Sequence, residues 1–179
     1  MELIKTHLQD CFILKPRIFE DHRGYFFESY NAATFQRLSD LKVQFVQDNQ
    51  AKSDYGILRG LHFQKGEHAQ AKLVRVLSGR VLDVAVDIRP ESPTFLQHVA
   101  VELSGENQLQ LFVPRGFAHG YAVLENNTVF AYKCDNYYCK AAEGGIRFDD
   151  ATLHIDWKIP TSDVVLSYKD SILLGVDKI

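Results

Sequence analysis

The sequence predicts an all-β protein built as a jelly-roll or related barrel with a few short helices. Three observations lead there. The apolar residues fall in many short runs of the length typical of strands. Pro90, Pro93, Gly105, Pro114 and Gly116 stand between those runs, where turns need them. Helical periodicity is confined to short stretches.

Taken in order, 12–19 and 25–30 flank a turn at Asp21-His-Arg-Gly24 and read as a hairpin. Asn31 can cap a short helix through Leu38, because its side chain can accept the free amides of a first turn. Strands are expected over 43–50, 57–63 and 72–77, and Ser78-Gly79 turns the chain into a strand over 80–88. Within that last strand the alternation is partial, which suits burial on one face with Asp83 and Asp87 on the same side. Further strands are expected over 95–103, 109–113, 119–124 and 128–134. From about Asp149 the chain reads as loop with a short helix near 169–174.

The 179 residues suit one domain with a sizeable core, 1–179. Apolar content of 46% and charged content of 24% are those of an ordinary globular protein. A net charge of −3 argues against a general nucleic-acid binder, which needs a basic surface to displace phosphate counterions. Cys11, Cys134 and Cys139 are an odd number without zinc spacing and read as reduced thiols of a cytoplasmic protein. The start, Met1-Glu-Leu-Ile-Lys-Thr-His, has no basic segment followed by a long apolar run, so a signal peptide is not expected. No apolar stretch approaches the roughly 18 residues that a membrane span needs.

Chemistry concentrates in two motifs, Gly56-Ile-Leu-Arg-Gly-Leu-His62 and Pro114-Arg-Gly-Phe-Ala-His119. Their spacing is that of the histidine strands of metal-binding barrels, but His62-Phe63-Gln64 lacks the second histidine of the first motif. Catalytic metals usually take three protein ligands, so the reading is a barrel without a metal. A histidine freed from a metal can move protons, and its ordinary pKa near 6.5 suits a base at neutral pH. Such a base is commonly oriented by a carboxylate, for which Asp170 and Asp83 are both candidates. In a regular strand Arg59 and Leu61 would face away from Gly60 and His62. Lys72 opens an alternating strand and, alone, would read as a solvated strand end. Tyr132 lies on the same face as Phe130 and Cys134, where a tyrosine is more often core than acid. Tyr137-Tyr138 could wall a base or simply pack. Arg23 and Arg59 could fork onto phosphate oxygens or pair with surface carboxylates. No glycine-rich phosphate loop is present.

Together these residues resemble the dTDP-4-dehydrorhamnose 3,5-epimerase family. The matching blocks include Phe19-Glu-Asp-His-Arg-Gly-Tyr-Phe-Phe-Glu28, Gln47-Asp-Asn-Gln50, Arg59-Gly-Leu-His-Phe-Gln64, Gln70-Ala-Lys-Leu-Val-Arg75, Pro114-Arg-Gly-Phe-Ala-His-Gly-Tyr121, Tyr132-Lys-Cys134 and Ser167-Tyr-Lys-Asp170. They run in family order across nearly the whole chain. The resemblance implies a cupin-type barrel, working as a homodimer with exchanged N-terminal strands and without metal or other cofactor. It implies a dTDP-linked 4-keto-6-deoxy sugar as substrate. His62 would then be the base, Asp170 its orienting carboxylate, Lys72 the stabiliser of an enolate and Tyr132 the acid. Arg23, Glu28, Gln47, Asn49, Arg59, His119 and Tyr138 would contact substrate, some of them from the partner subunit. His22 stands where an acidic residue is common and Tyr121 where a phenylalanine is common; neither removes a catalytic group. Alternatives to inversion at carbons 3 and 5 are inversion at one carbon only, a ketoisomerase, a non-catalytic nucleotide-sugar binding module and a metal-dependent oxygenase.

Overall fold

A computed structural model describes residues 1–179. The strands in chain order are β1 (Glu2–Lys5), β2 (Phe12–Lys15), β3 (Phe19–Asp21), β4 (Gly24–Phe26), β5 (Gln47–Ser53), β6 (Leu58–Gln64) and β7 (Lys72–Ser78). They continue with β8 (Arg80–Asp87), β9 (His98–Ser104), β10 (Gln110–Val113), β11 (Phe117–Val123), β12 (Thr128–Cys134) and β13 (Glu143–Gly145). Two α-helices, α1 (Ala32–Ser39) and α2 (Tyr168–Ser171), and four single-turn 3-10 helices complete the regular elements. A six-stranded sheet runs β1-β2-β10-β7-β12-β5, and a five-stranded sheet runs β13-β6-β11-β8-β9. These are the two walls of the expected jelly-roll barrel.

Alternation along the strands divides the apolar residues into three cores. Val74, Val76, Leu111 and Phe130 of the first sheet meet Val81, Ala85, Leu103 and Val123 of the second inside the barrel. The back of the five-stranded sheet, with Leu58, Leu61, Leu82 and Val84, is covered by the C-terminal segment through Ile146, Leu153 and Trp157. That cover explains why β8 is buried on both faces rather than on one, as its partial alternation had suggested. Asp83 and Asp87 do share a face with Val81 and Ala85, the face toward the barrel interior. The back of the six-stranded sheet carries α1, whose Phe35 packs on Phe12 and Phe112. Asn31 caps α1 as expected, accepting the Thr34 amide at 3.0 Å.

Several boundaries differ from the sequence reading for identifiable reasons. The expected strand over 12–19 breaks at Pro16, which has no amide to give a ladder, and only β3 and β4 form the hairpin. Val43 and Phe45 pack on the α1 cluster instead of pairing, so the strand expected over 43–50 is β5, displaced toward the C-terminus. Both β1 and β13 are additional to the expected strands.

The consequential difference lies in β6. His62 pairs with His119, but Arg59 pairs with Tyr121, so three steps along β6 match two along β11. This bulge turns Arg59 and His62 to the same, inner face and sends Leu58 and Leu61 together into the rear core. The regular alternation expected for this strand does not hold. Gly60, at φ +118, sits in the bulge, and a Cβ there would lie 2.6 Å from the Gly120 Cα and 2.7 Å from the His119 oxygen. Gly60→Ala should therefore destabilise the fold by about 2–4 kcal/mol in chemical denaturation. An unchanged midpoint would refute the close approach of β6 and β11.

Candidate active site

The inner faces of the two sheets enclose a cavity of about 580 Å³. His62 reaches it from the β6 bulge. The His62 Nε2–H donates to Asp170 Oδ1. Asp170 comes from α2, a four-residue helix that depends on its cap. Ser167 caps it by accepting the Asp170 amide at 3.1 Å, and its hydroxyl donates to Asp170 Oδ2 at 2.8 Å. Both carboxylate oxygens are thus occupied, and Asp170 is nearly inaccessible, at 5% exposure. Burial pushes its carboxyl up, but the hydrogen bond and charge of His62 and the Ser167 hydroxyl outweigh burial and hold it below the usual carboxylate range. With Nε2 donating, His62 Nδ1 keeps the lone pair that can accept a proton.

The facing wall is the inward row of the six-stranded sheet. Alternation turns Lys72 of β7, Tyr132 and Cys134 of β12, and Gln47 and Asn49 of β5 into the cavity. The Lys72 Nζ lies 5.9 Å from the centroid of the Tyr132 ring. Burial lowers the Lys72 pKa, against the raising influence of Cys134, Asp83 and Glu143. Burial also raises the Tyr132 phenol, and the opposing Arg59 charge does not overcome it. Tyr132 therefore remains protonated at neutral pH. Cys134 is pushed up to about 11 by burial and remains a thiol.

The two carboxylates that could have oriented a histidine are divided between the two histidines. Asp83 belongs to His119, whose Nε2 stands 3.0 Å from both of its oxygens. Burial lowers the His119 pKa despite that partner.

Of the residues singled out from the sequence, His62, Asp170, Lys72, Tyr132, Gln47, Asn49, Arg59, His119 and Tyr138 all line one cavity. The Arg59 guanidinium donates to Ser53 Oγ at 3.2 Å. Arg23 and Glu28 lie elsewhere. Arg23 is on the exposed β3–β4 turn, paired with Asp21 at 2.5 Å, and Glu28 accepts from Asn31 at 3.1 Å. The sequence reading missed a charged rim. Tyr138 donates to Glu143 at 3.2 Å, and Glu143 pairs with Lys169. Lys169 could have been found beside Asp170 in Ser167-Tyr-Lys-Asp170. Glu143 carried no signal, because Gly144-Gly145 masks the strand that delivers it.

Residues 5–177 match the sequence profile described as dTDP-4-dehydrorhamnose 3,5-epimerase. The chain is 54% identical over 172 residues to the dTDP-4-dehydrorhamnose 3,5-epimerase of Salmonella typhimurium, covering 96% of this chain and 93% of that one. It belongs to the dTDP-4-dehydrorhamnose 3,5-epimerase family. Solved structures agree with this membership. The epimerase of Elizabethkingia anophelis superposes with a TM-score of 0.96 at 57% identity, over 99% of this chain and 97% of that one. The dTDP-6-deoxy-D-glucose-3,5-epimerase of Legionella pneumophila, solved in complex with dTDP-4-keto-L-rhamnose, gives a TM-score of 0.96 at 46% identity over 99% and 94%. The family fold is thus present from end to end, including the α2 segment that supplies Asp170.

The depressed Asp170 carboxyl carries a pH signature. Its folded-state pKa lies below the ordinary value of 3.8, so its contribution to stability is fully present above that value. The contribution is lost as pH falls through the depressed folded value. Asp170→Asn should flatten this part of the acid limb of a stability–pH curve. Parallel curves for wild type and variant would contradict the His62–Asp170 pairing.

Proposed function

We propose that this chain inverts carbons 3 and 5 of dTDP-4-keto-6-deoxy-D-glucose, giving dTDP-4-dehydro-L-rhamnose, by proton exchange through an enolate. The observation that carries this reading is the His62–Asp170–Ser167 chain on one wall of a cavity whose other wall presents Lys72 and Tyr132. A ketone at carbon 4 acidifies the hydrogens on both neighbouring carbons. Removal of either leaves charge on the carbon-4 oxygen. The reaction therefore needs a base, a cation for the oxygen and an acid on the opposite side of the ring.

His62 is the base, and Asp170 holds its tautomer and stabilises the imidazolium that forms. Lys72 stabilises the oxyanion, and its burial strengthens that interaction because little water competes for the charge. Tyr132 returns a proton to the far face, and the rise in its pKa on burial keeps it in the donor form. Gln47, Asn49, Arg59, His119 and Tyr138 position the sugar nucleotide within the same cavity. The scheme moves only protons and asks for no cofactor.

Arg23 and Glu28 take part only if a second copy brings them. The hairpin that carries Arg23 leaves Phe19, Tyr25 and Phe26 exposed at 52%, 58% and 71%. This supports a homodimer in which N-terminal strands are exchanged and the hairpin docks on the partner. The three free cysteines are consistent with work in the cytoplasm.

Incubation with dTDP-4-keto-6-deoxy-D-glucose in deuterated water tests the reading. Deuterium at carbons 3 and 5 is the expected result, and label at one carbon alone would reduce the activity to a single-site epimerase. His62→Ala should lose about 100- to 10,000-fold in turnover while still binding dTDP. A near-wild-type rate in that variant would remove His62 from its role.

A further inference from the structure

Tyr121 is a polar residue of the cavity that has no task in this scheme. Tyr121 points inward from β11 and is 5% exposed. Its ring stacks on Phe130, with centroids 4.0 Å apart and planes 17° from parallel, and so joins the barrel core. The register across β6 and β11 pairs Tyr121 with Arg59. Arg59, Tyr132 and Asp83 are the titratable neighbours of its phenol, and the hydroxyl has no hydrogen-bond partner in the protein. The hydroxyl opens on the cavity rather than being sealed in the core.

This combination needs a physical reason. A phenylalanine would make the same stack without withdrawing a hydroxyl from bulk water. An unpaired polar group at a site this enclosed costs free energy unless something arrives to pair with it. Most polar side chains around it are already engaged. His62 and His119 hold carboxylates, Arg59 donates to Ser53, Gln47 donates to Asn49, and Tyr138 donates to Glu143. Like the Tyr121 hydroxyl, the Lys72 ammonium and the Tyr132 hydroxyl have no hydrogen-bond partner in the protein. Those two are the groups that the reaction scheme directs at substrate.

We infer that Tyr121 is a further substrate-contacting residue, whose hydroxyl donates a hydrogen bond to an oxygen of the sugar nucleotide at the Arg59 end of the cavity. The inference rests on the proposed function for the identity of the ligand. Its geometry sets the chemistry of the contact. Burial raises the Tyr121 phenol far above neutral pH, so it offers a proton and does not carry charge. Its natural partner is an acceptor oxygen. The diphosphate and the hexose both present such oxygens, and a guanidinium alongside suits either.

Tyr121→Phe is a clean test, because it keeps the ring, the stack on Phe130 and the volume and removes only the oxygen. The expected result is a loss of about 5- to 20-fold in kcat/KM with the ketosugar, and an unfolding midpoint no lower than that of wild type. Calorimetric titration with dTDP and with dTDP-glucose locates the acceptor. Weaker binding of both ligands places it on the dTDP part; weaker binding of dTDP-glucose alone places it on the hexose. Affinities and kcat/KM all within about twofold of wild type would overturn the inference. So would a lowered midpoint with unchanged binding, since the hydroxyl would then serve the fold. Failure of the parent reading shows separately, as absence of deuterium label with the wild-type protein. In that event the two affinities, variant against wild type, still decide the Tyr121 contact.

Discussion

The hydrogen bond between His62 and Asp170 joins parts of the chain that are far apart in sequence, and the site depends on it. His62 stands on a barrel strand; Asp170 stands on a four-residue helix in the segment that covers the back of the same sheet. Neither residue is held by its own element alone. The bulge around Gly60 delivers the imidazole, and the Ser167 cap delivers the carboxylate. Covering the rear core with Ile146, Leu153 and Trp157 fixes the course of the C-terminal segment. Hydrophobic burial on the outside of the barrel thereby sets the geometry of a polar pair on its inside.

The two-sheet architecture also supplies the second requirement of an inversion. A base and an acid must address opposite faces of one ring. In the proposed scheme they are His62 and Tyr132, which stand on different sheets, and the space between the sheets is the cavity. Local surroundings then reinforce each group for its part: burial moves the Tyr132 phenol further above neutral pH, while hydrogen bonds to both oxygens keep the Asp170 carboxylate ionised against burial. One low-dielectric cavity produces opposite protonation states through different partners.

Much of this was legible in the sequence, and the exceptions follow a physical pattern. Strands β7 and β12 alternate between a packed face and an inner face that reaches the cavity, β8 is packed on both faces, and the extents of all three could be read closely. The Asn31 cap placed α1. By contrast, β5 is Gln-Asp-Asn-Gln-Ala-Lys-Ser, polar because its inward side lines the cavity, so hydropathy pointed to the apolar residues before it. The strand β13 hides behind Gly144-Gly145. The bulge in β6 brings Arg59 round to the face of His62 while Leu61 stays on the opposite one, and no periodicity anticipates an inserted residue. The choice between Asp83 and Asp170 as partner of His62 was open on spacing alone and needed the fold. The expectation for Arg23 and Glu28 came only from the family resemblance, and within one chain neither lines the cavity.

In the proposed scheme, proton removal and proton return belong to opposite walls of the cavity. The direct measurement is to follow, in Tyr132→Phe and in deuterated water, label entering recovered substrate alongside formation of inverted product. Removal by His62 should persist and inversion should stall, so label should accumulate in unconverted substrate faster than product appears. Equal loss of exchange and inversion would contradict the assignment of Tyr132 to the far face.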